Sequence, residues 1–257
     1  MSDGVRHWGD GPREVLMLHC SLAQGSAWKG VASRLPGGLH LTAPDIVGHG
    51  DGPDHDPSRD LHDQCFGAVL PHLPAGPLDA IGHSFGATLA LRLAIEMPDR
   101  VRSLTLIEPV LFAAARGAPS FETQLAIQLA LEEAVAQGNN AAATRGFLDQ
   151  WGTGGDFDDQ PEAQRAYMVD RIDLIAASRP ALFGDSAGLV PRLGQVTAPT
   201  LLVSGENCQP VITDILDRMQ VAIPDTTRSG IPGAGHMAPI THPEPVAAAI
   251  AAHLQSS

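Results

Sequence analysis

Gly82-His83-Ser84-Phe85-Gly86 follows the apolar run Pro77-Leu78-Asp79-Ala80-Ile81 and precedes Ala87-Thr88-Leu89-Ala90-Leu91-Arg92-Leu93-Ala94, which reads as a helix. A G-x-S-x-G between a strand and a helix is the setting of a nucleophile elbow, a turn so sharp that the serine stands clear of the backbone around it. Glycines two residues before and after Ser84 remove the Cβ atoms that would collide in such a turn. The helix that starts there also aims backbone N–H groups and its positive dipole end at the same point, where an oxyanion could be held. A bare pentapeptide of this kind also arises in glycine-rich loops, so the strand and the helix around it carry the reading.

Outward from the elbow, short apolar runs alternate with helical stretches. Val15-Leu16-Met17-Leu18, Leu39-His40-Leu41-Thr42, Leu78-Asp79-Ala80-Ile81, Leu104-Thr105-Leu106-Ile107 and Leu201-Leu202-Val203-Ser204 read as strands. Residues 27–35 and 61–73 carry helical apolar spacing between them. Strands separated by helices imply a mostly parallel sheet covered on both faces. Ahead of these, Val5-Arg6-His7-Trp8 and the Gly9-Asp10-Gly11-Pro12 turn suggest a small antiparallel edge hairpin. After Glu108-Pro109 the alternation stops for about 80 residues, far longer than an ordinary connection. Residues 121–137, 141–151 and 162–177 offer three helices to fill it. Residues 151–159, rich in Gly and Asp, form either a solvated loop or a segment able to flex as part of a lid.

The chain has 257 residues, 44% of them hydrophobic, enough for a substantial core, and carries a formal net charge of −13. That charge disfavours nucleic acid and anionic membrane surfaces as partners. The stretch Met1-Ser2-Asp3-Gly4-Val5-Arg6-His7-Trp8 has no apolar signal region and no later run is long enough to span a membrane, so the expectation is a soluble, cytoplasmic protein. Cys20, Cys65 and Cys208 are odd in number and far apart, which favours reduced thiols. Nothing in the sequence has the spacing of a metal site, a phosphate-cradling loop or a dinucleotide fingerprint, so no cofactor and no metal are expected.

With these stretches in view, the chain resembles the α/β-hydrolase superfamily over nearly its whole length, specifically single-domain members with a helical cap. Leu18-His19-Cys20-Ser21-Leu22 with Trp28 is similar to the family's post-strand His-Gly loop. Ala43-Pro44-Asp45-Ile46-Val47-Gly48-His49-Gly50 is similar to its D-x-x-G-x-G loop. Gly233-Ala234-Gly235-His236-Met237-Ala238-Pro239, followed by His242-Pro243-Glu244-Pro245-Val246, is similar to its histidine turn and last helix. The resemblance implies an α/β-hydrolase fold: a mostly parallel central sheet with flanking helices and a helical cap inserted after the sixth strand. The core domain would be residues 1–110 and 194–257, and the cap residues 111–193.

Ser84 needs a base, because a neutral hydroxyl is a poor nucleophile and an imidazole can take its proton near neutral pH. His236, in a turn of small residues after Thr227-Arg228-Ser229-Gly230-Ile231, is the candidate. His49 and His62 read as structural or solvated, and His19 and His83 as backbone-shaping members of active-site motifs. The acid departs from the family pattern: where members commonly have Gly-Glu-x-Asp, this chain reads Gly205-Glu206-Asn207-Cys208. A thiol cannot supply the fixed negative charge that orients an imidazolium. Glu108, at the end of the strand after the elbow helix, is the favoured acid, since some capped members carry theirs there; Glu206 is the alternative. The resemblance assigns the oxyanion hole to the backbone N–H groups of Phe85 and Ser21, with Cys20 standing where the family usually has glycine.

The expected chemistry is cleavage of a carboxylic ester through an acyl-enzyme intermediate by a Ser-acid-His triad, acting on a small-molecule ester-like substrate without a cofactor. The alternatives are a carbon–carbon bond hydrolase of vinylogous diketones, a lactonase or perhydrolase, and a non-catalytic ligand-binding protein of the same fold. With aromatics at 4% of the chain, aliphatic pocket walls are expected, and the protein is expected to be a monomer or homodimer.

Overall fold

The computed structural model describes residues 4–257; Met1, Ser2 and Asp3, the start of the stretch read for a leader, lie outside the described residues. Seven strands, β1 (Val5–Trp8), β2 (Arg13–Leu18), β3 (Leu39–Pro44), β4 (Leu78–His83), β5 (Val101–Ile107), β6 (Thr200–Gly205) and β7 (Thr226–Ile231), form one sheet in the order β1-β3-β2-β4-β5-β6-β7. Every pairing is parallel except that of β1 with β3. The hairpin expected between residues 5–8 and the next strand does not form. β2 is hydrogen-bonded on both sides, to β3 and β4, so it has no free edge, and β1 pairs instead with β3 from Val5↔Pro44 to Trp8↔Leu41.

The helices are α1 (Lys29–Ala32), α2 (Leu61–Val69), α3 (Phe85–Glu96), α4 (Pro119–Ala136), α5 (Asn140–Trp151), α6 (Glu162–Val169), α7 (Asp173–Ala177), α8 (Arg179–Leu182), α9 (Pro210–Ala222), α10 (Ala238–Thr241) and α11 (Pro243–Gln255). Because side chains alternate across a strand, each central strand feeds two cores. Leu16 and Leu18 of β2 join Leu104 and Leu106 of β5 in a core with α2, α3 and α9. Val15 and Met17 join Leu201 and Val203 of β6 in a second core with α1 and α11. Burying both faces is why these strands read as near-continuous apolar runs.

Between β5 and β6 the chain is helical, as its spacing suggests. This segment follows the fifth strand of the sheet, not a sixth, because among the described residues the chain ahead of β2 supplies one strand, β1. Residues 162–177 form two helices rather than one. The break lets Leu174 of α7 enter the main core, while Met168, Ile172 and Ile175 fill a small separate core with Leu131, Ala143 and Phe157. Phe157 and the Arg145 to Asp158 ion pair, with N–O distances of 2.8 and 2.9 Å, tie the far end of the Gly- and Asp-rich loop to α5 and that small core. Among the described residues, no helix is long and apolar enough to cross a membrane.

Candidate active site

Ser84 and Glu108 arrive side by side for a topological reason. The last paired residues of β4 and β5 are His83 and Ile107, so Ser84 and Glu108 are the first residues past the carboxyl ends of two adjacent parallel strands. The Ser84 N–H donates to the Ile107 carbonyl (2.9 Å), and the Glu108 N–H donates to Val203 of β6 (2.8 Å). Both residues have positive φ, 56° for Ser84 and 49° for Glu108, values that L side chains seldom adopt. Strain of this kind persists only where the surroundings over-determine it, and here two sheet hydrogen bonds and the following helix do so.

The elbow requires its glycines for close approach rather than for their dihedrals. A Cβ on Gly82 would sit inside contact distance of the Gly86 carbonyl oxygen and the Ala87 backbone. One on Gly86 would run into the carbonyl oxygens of Leu18 and His19. That second contact presses the elbow against the loop after β2, which carries Ser21. Ser84 is the N-cap of α3, with φ 56° and ψ −117°.

His236 comes from the loop between β7 and α10, held by three hydrogen bonds to two neighbouring segments. The His83 Nε2–H donates to the His236 carbonyl oxygen (2.9 Å), the Asn207 N–H donates to the Ala234 carbonyl (2.8 Å), and the Gly233 N–H donates to Glu206 Oε2 (2.8 Å). The imidazole then bridges the two strand ends. Ser84 Oγ lies 3.0 Å from His236 Nε2, and His236 Nδ1 lies 3.0 Å from Glu108 Oε2. Glu108 is fully buried, and its other oxygen accepts the Gly205 N–H at 2.7 Å. With an acceptor facing Nδ1, that nitrogen carries the proton and Nε2 is left to accept from Ser84 Oγ. Glu206 is an exposed residue whose carboxylate holds the histidine loop through Gly233; it makes no hydrogen bond to the His236 ring. Cys208 Sγ faces Thr213 Oγ1 at 3.7 Å.

Ser21, Ser84 and His236 share the wall of a cavity of about 270 Å³ beneath α4 and α5. Among the described residues, the N–H groups of Ser21 and Phe85 donate to no protein acceptor, so both are free for a ligand oxygen. The loop that presents Ser21 is held by buried histidines acting as backbone clamps. His19 Nδ1–H donates to the Cys20 carbonyl (2.8 Å) while its Nε2 accepts the Ile46 N–H (3.1 Å). His49 Nδ1–H donates to the Val47 carbonyl (2.9 Å) while its Nε2 accepts the Leu22 N–H (2.9 Å). Each role needs a neutral ring, and burial pushes the pKa of His19 down to about 4 and those of His49 and His83 down to about 3. Burial pushes the Cys20 thiol up to about 12, which keeps it protonated.

The cavity walls are not wholly aliphatic. Phe112, Phe147 and Trp151 stand among Val110, Ile127 and Leu131. Trp151, which the sequence offers as the last residue of an apolar helix and the first of the Gly- and Asp-rich segment, meets the His236 ring edge-on, with centroids 4.6 Å apart at 70°. Phe147, Trp151 and Ser21 also line a second cavity of about 500 Å³. No group of histidine, cysteine and carboxylate side chains among the described residues could hold a metal ion.

Residues 15–249 match the model of the alpha/beta hydrolase family. Over 244 residues the chain is 26% identical to a pimeloyl-[acyl-carrier protein] methyl ester esterase of Nitrosomonas europaea, covering 92% of this chain and 93% of that one. It is 36% identical to Lipase LipV of Mycobacterium tuberculosis over 105 residues, a match that spans 40% of each chain. Among solved structures, a thermophilic esterase from Thermogutta terrifontis superposes with a TM-score of 0.70 at 21% identity, over 98% of this chain and 92% of that one, a likeness of fold. The strand order, the elbow and the match along most of the sequence agree: the chain belongs to the alpha/beta hydrolase family.

Proposed function

We propose that this protein is a serine hydrolase of carboxylic esters, with Ser84 as nucleophile, His236 as general base and acid, and Glu108 as the orienting carboxylate. The observation that carries the reading is the unbroken hydrogen-bonded chain from Ser84 Oγ through both ring nitrogens of His236 to a fully buried Glu108, at the wall of a largely apolar cavity. Ser84 Oγ attacks the carbonyl carbon as its proton passes to His236 Nε2. The oxyanion is held by the N–H groups of Phe85 and Ser21 at the positive end of α3. The leaving alkoxide takes the proton from Nε2, and a water deprotonated by the same nitrogen releases the acid and restores Ser84.

The relatives are named as esterases and a lipase, which supports hydrolysis as the class of reaction. Cys208 at the family's usual acid position favours the non-catalytic reading; Glu108 Oε2, 3.0 Å from His236 Nδ1, supports the catalytic one. The test is turnover of short p-nitrophenyl acyl esters by the wild type and by Ser84→Ala. Release that depends on Ser84 supports the proposal; equal release by both proteins defeats it.

A further inference from the structure

The walls of the cavity above Ser84 carry polar groups that mostly satisfy one another. Gln150 Nε2 donates to Gln124 Oε1 (2.9 Å) and Gln124 Nε2 to Gln150 Oε1 (3.3 Å), while Ser178 Oγ–H donates to the Ile175 carbonyl (2.7 Å). Gln128, on α4, is an exception. Its Nε2 donates to Glu132 Oε1 (3.0 Å) and to the Ile175 carbonyl (3.1 Å). Both partners are pure acceptors, so the amide cannot be turned over: nitrogen must face them and oxygen must face away. Among the described residues, no protein donor reaches Gln128 Oε1, although the residue is only 6% exposed and belongs to the cavity wall. An amide oxygen that keeps access to the cavity can take a hydrogen bond from water, and an occupant that displaces the water without bringing a donor leaves it unpaired at a cost.

The charge around it narrows the class of occupant. The cavity is lined by no lysine or arginine. The nearest charged partner of Gln128 is Glu132, itself held by Arg179 Nε at 2.8 and 3.0 Å. A carboxylate at this end of a substrate would lose its water, find no lysine or arginine on the cavity wall and meet the carbonyl oxygen of Gln128, while the cation nearby, Arg179, is already paired with Glu132. A hydroxyl or an amide N–H would complete Gln128.

We infer that the substrate of Ser84 is an ester whose acyl group is neutral and mainly apolar and carries a hydroxyl or N–H that donates to Gln128 Oε1. This inference rests on the ester-hydrolase reading above and names its substrate class. Gln128 would then be a specificity residue that contacts the substrate away from the reacting carbonyl.

The test uses methyl esters of about six to ten carbons, the range a cavity of this size admits, tipped at the far end with a methyl, a hydroxymethyl or a carboxylate group. Methanol release gives kcat/KM for the wild type and for Gln128→Leu. The expected result is that the preference for the hydroxymethyl over the methyl tip, at the best chain length, is at least about tenfold greater in the wild type than in the variant, expressed mainly in KM. The carboxylate tip is expected to be the poorest substrate of the wild type. Gln128→Met, unbranched and of similar length, serves should the leucine variant not fold. A tip preference unchanged within about twofold by the substitution at every length, or a carboxylate tip that equals the hydroxymethyl one, overturns the inference and leaves the ester reading standing. No turnover of any ester by the folded wild type overturns both.

Discussion

Replacing Glu108 with glutamine changes one atom and should disable the site through the tautomer of His236. Glu108 Oε1 accepts the Gly205 N–H at 2.7 Å, and Oε2 faces His236 Nδ1 at 3.0 Å, inside a site with no solvent access to the carboxylate. In Glu108→Gln the Gly205 N–H remains a donor, so the amide oxygen must stay opposite it and the amide NH₂ turns to Nδ1. That forces Nδ1 to accept and moves the ring proton to Nε2, which then donates to Ser84 Oγ instead of taking its proton. The loss should resemble that of other triads given the wrong tautomer, on the order of 10³ to 10⁴ in kcat, or about 4 to 5.5 kcal/mol of transition-state stabilisation. The assay is kcat/KM on a short p-nitrophenyl ester, with the fold of the variant checked by its thermal transition. Glu206→Gln is the matched control. Its carboxylate only accepts the Gly233 N–H, an amide oxygen can do the same, and activity should stay within about threefold. Activity of Glu108→Gln within about tenfold of wild type, or a greater loss from Glu206→Gln, would refute the tautomer argument.

Further outcomes follow from the packing and the titration of buried groups. His19, His49, His62 and His83 have pKa values pushed down by burial to between about 3 and 4, so below pH 6.5 the unfolded chain binds protons that the folded one refuses. Stability is therefore complete above pH 6.5 and lost on acidification. Between about pH 7.5 and 5.5 each ring should remove about 1.3 kcal/mol, about 5 kcal/mol together, and a urea midpoint that does not fall over that range would contradict the neutral clamps. Gly86→Ala drives a methyl into the Leu18 and His19 carbonyls and should cost about 1 to 3 kcal/mol of stability and about a hundredfold in kcat/KM; wild-type turnover would show that the elbow and the Ser21 loop are not in close contact. Native protein treated with iodoacetamide near neutral pH should gain at most one adduct, at the half-buried Cys208, and three after unfolding, because Cys20 and Cys65 are buried with their thiols pushed up to about 12; rapid native labelling of Cys20 would contradict this.

The parallel strands β2 to β6 were legible because strands buried on both faces leave unbroken apolar runs, and a sharp serine turn leaves glycines at fixed offsets; β7, a half-exposed edge strand, leaves no such run. β1 was misread since a Gly-Asp-Gly-Pro turn signals a local reversal, whereas pairing is decided by which strand still has a free edge, a fact about the whole sheet. Glu108 came from the resemblance, which places the acid after this strand in some capped members; the register that sets the residue after β5 beside the one after β4 is a property of the folded sheet. The contact between Glu108 and His236 is another matter, depending on where the loop at residues 232–237 folds back, and that is set by His83 at the end of β4 and by Glu206 and Asn207 in the loop after β6. Gln128 and Trp151 left no signal at all, because a residue on a helix becomes part of a cavity wall only through how α4 and α5 lean on the sheet. The single helix expected over residues 162–177 failed for a related reason, its apolar spacing serving two different cores.

The most direct test of the central claim is intact-mass spectrometry of the wild type and of Ser84→Ala after exposure to a fluorophosphonate, which reacts with an activated serine whatever the natural substrate. One adduct on the wild type and none on Ser84→Ala is the expected result, with labelling of Glu108→Gln slowed in proportion to its lost turnover. A folded wild type that takes no adduct, or one labelled equally well without Ser84, would contradict the claim that Ser84, His236 and Glu108 work together as a nucleophilic site.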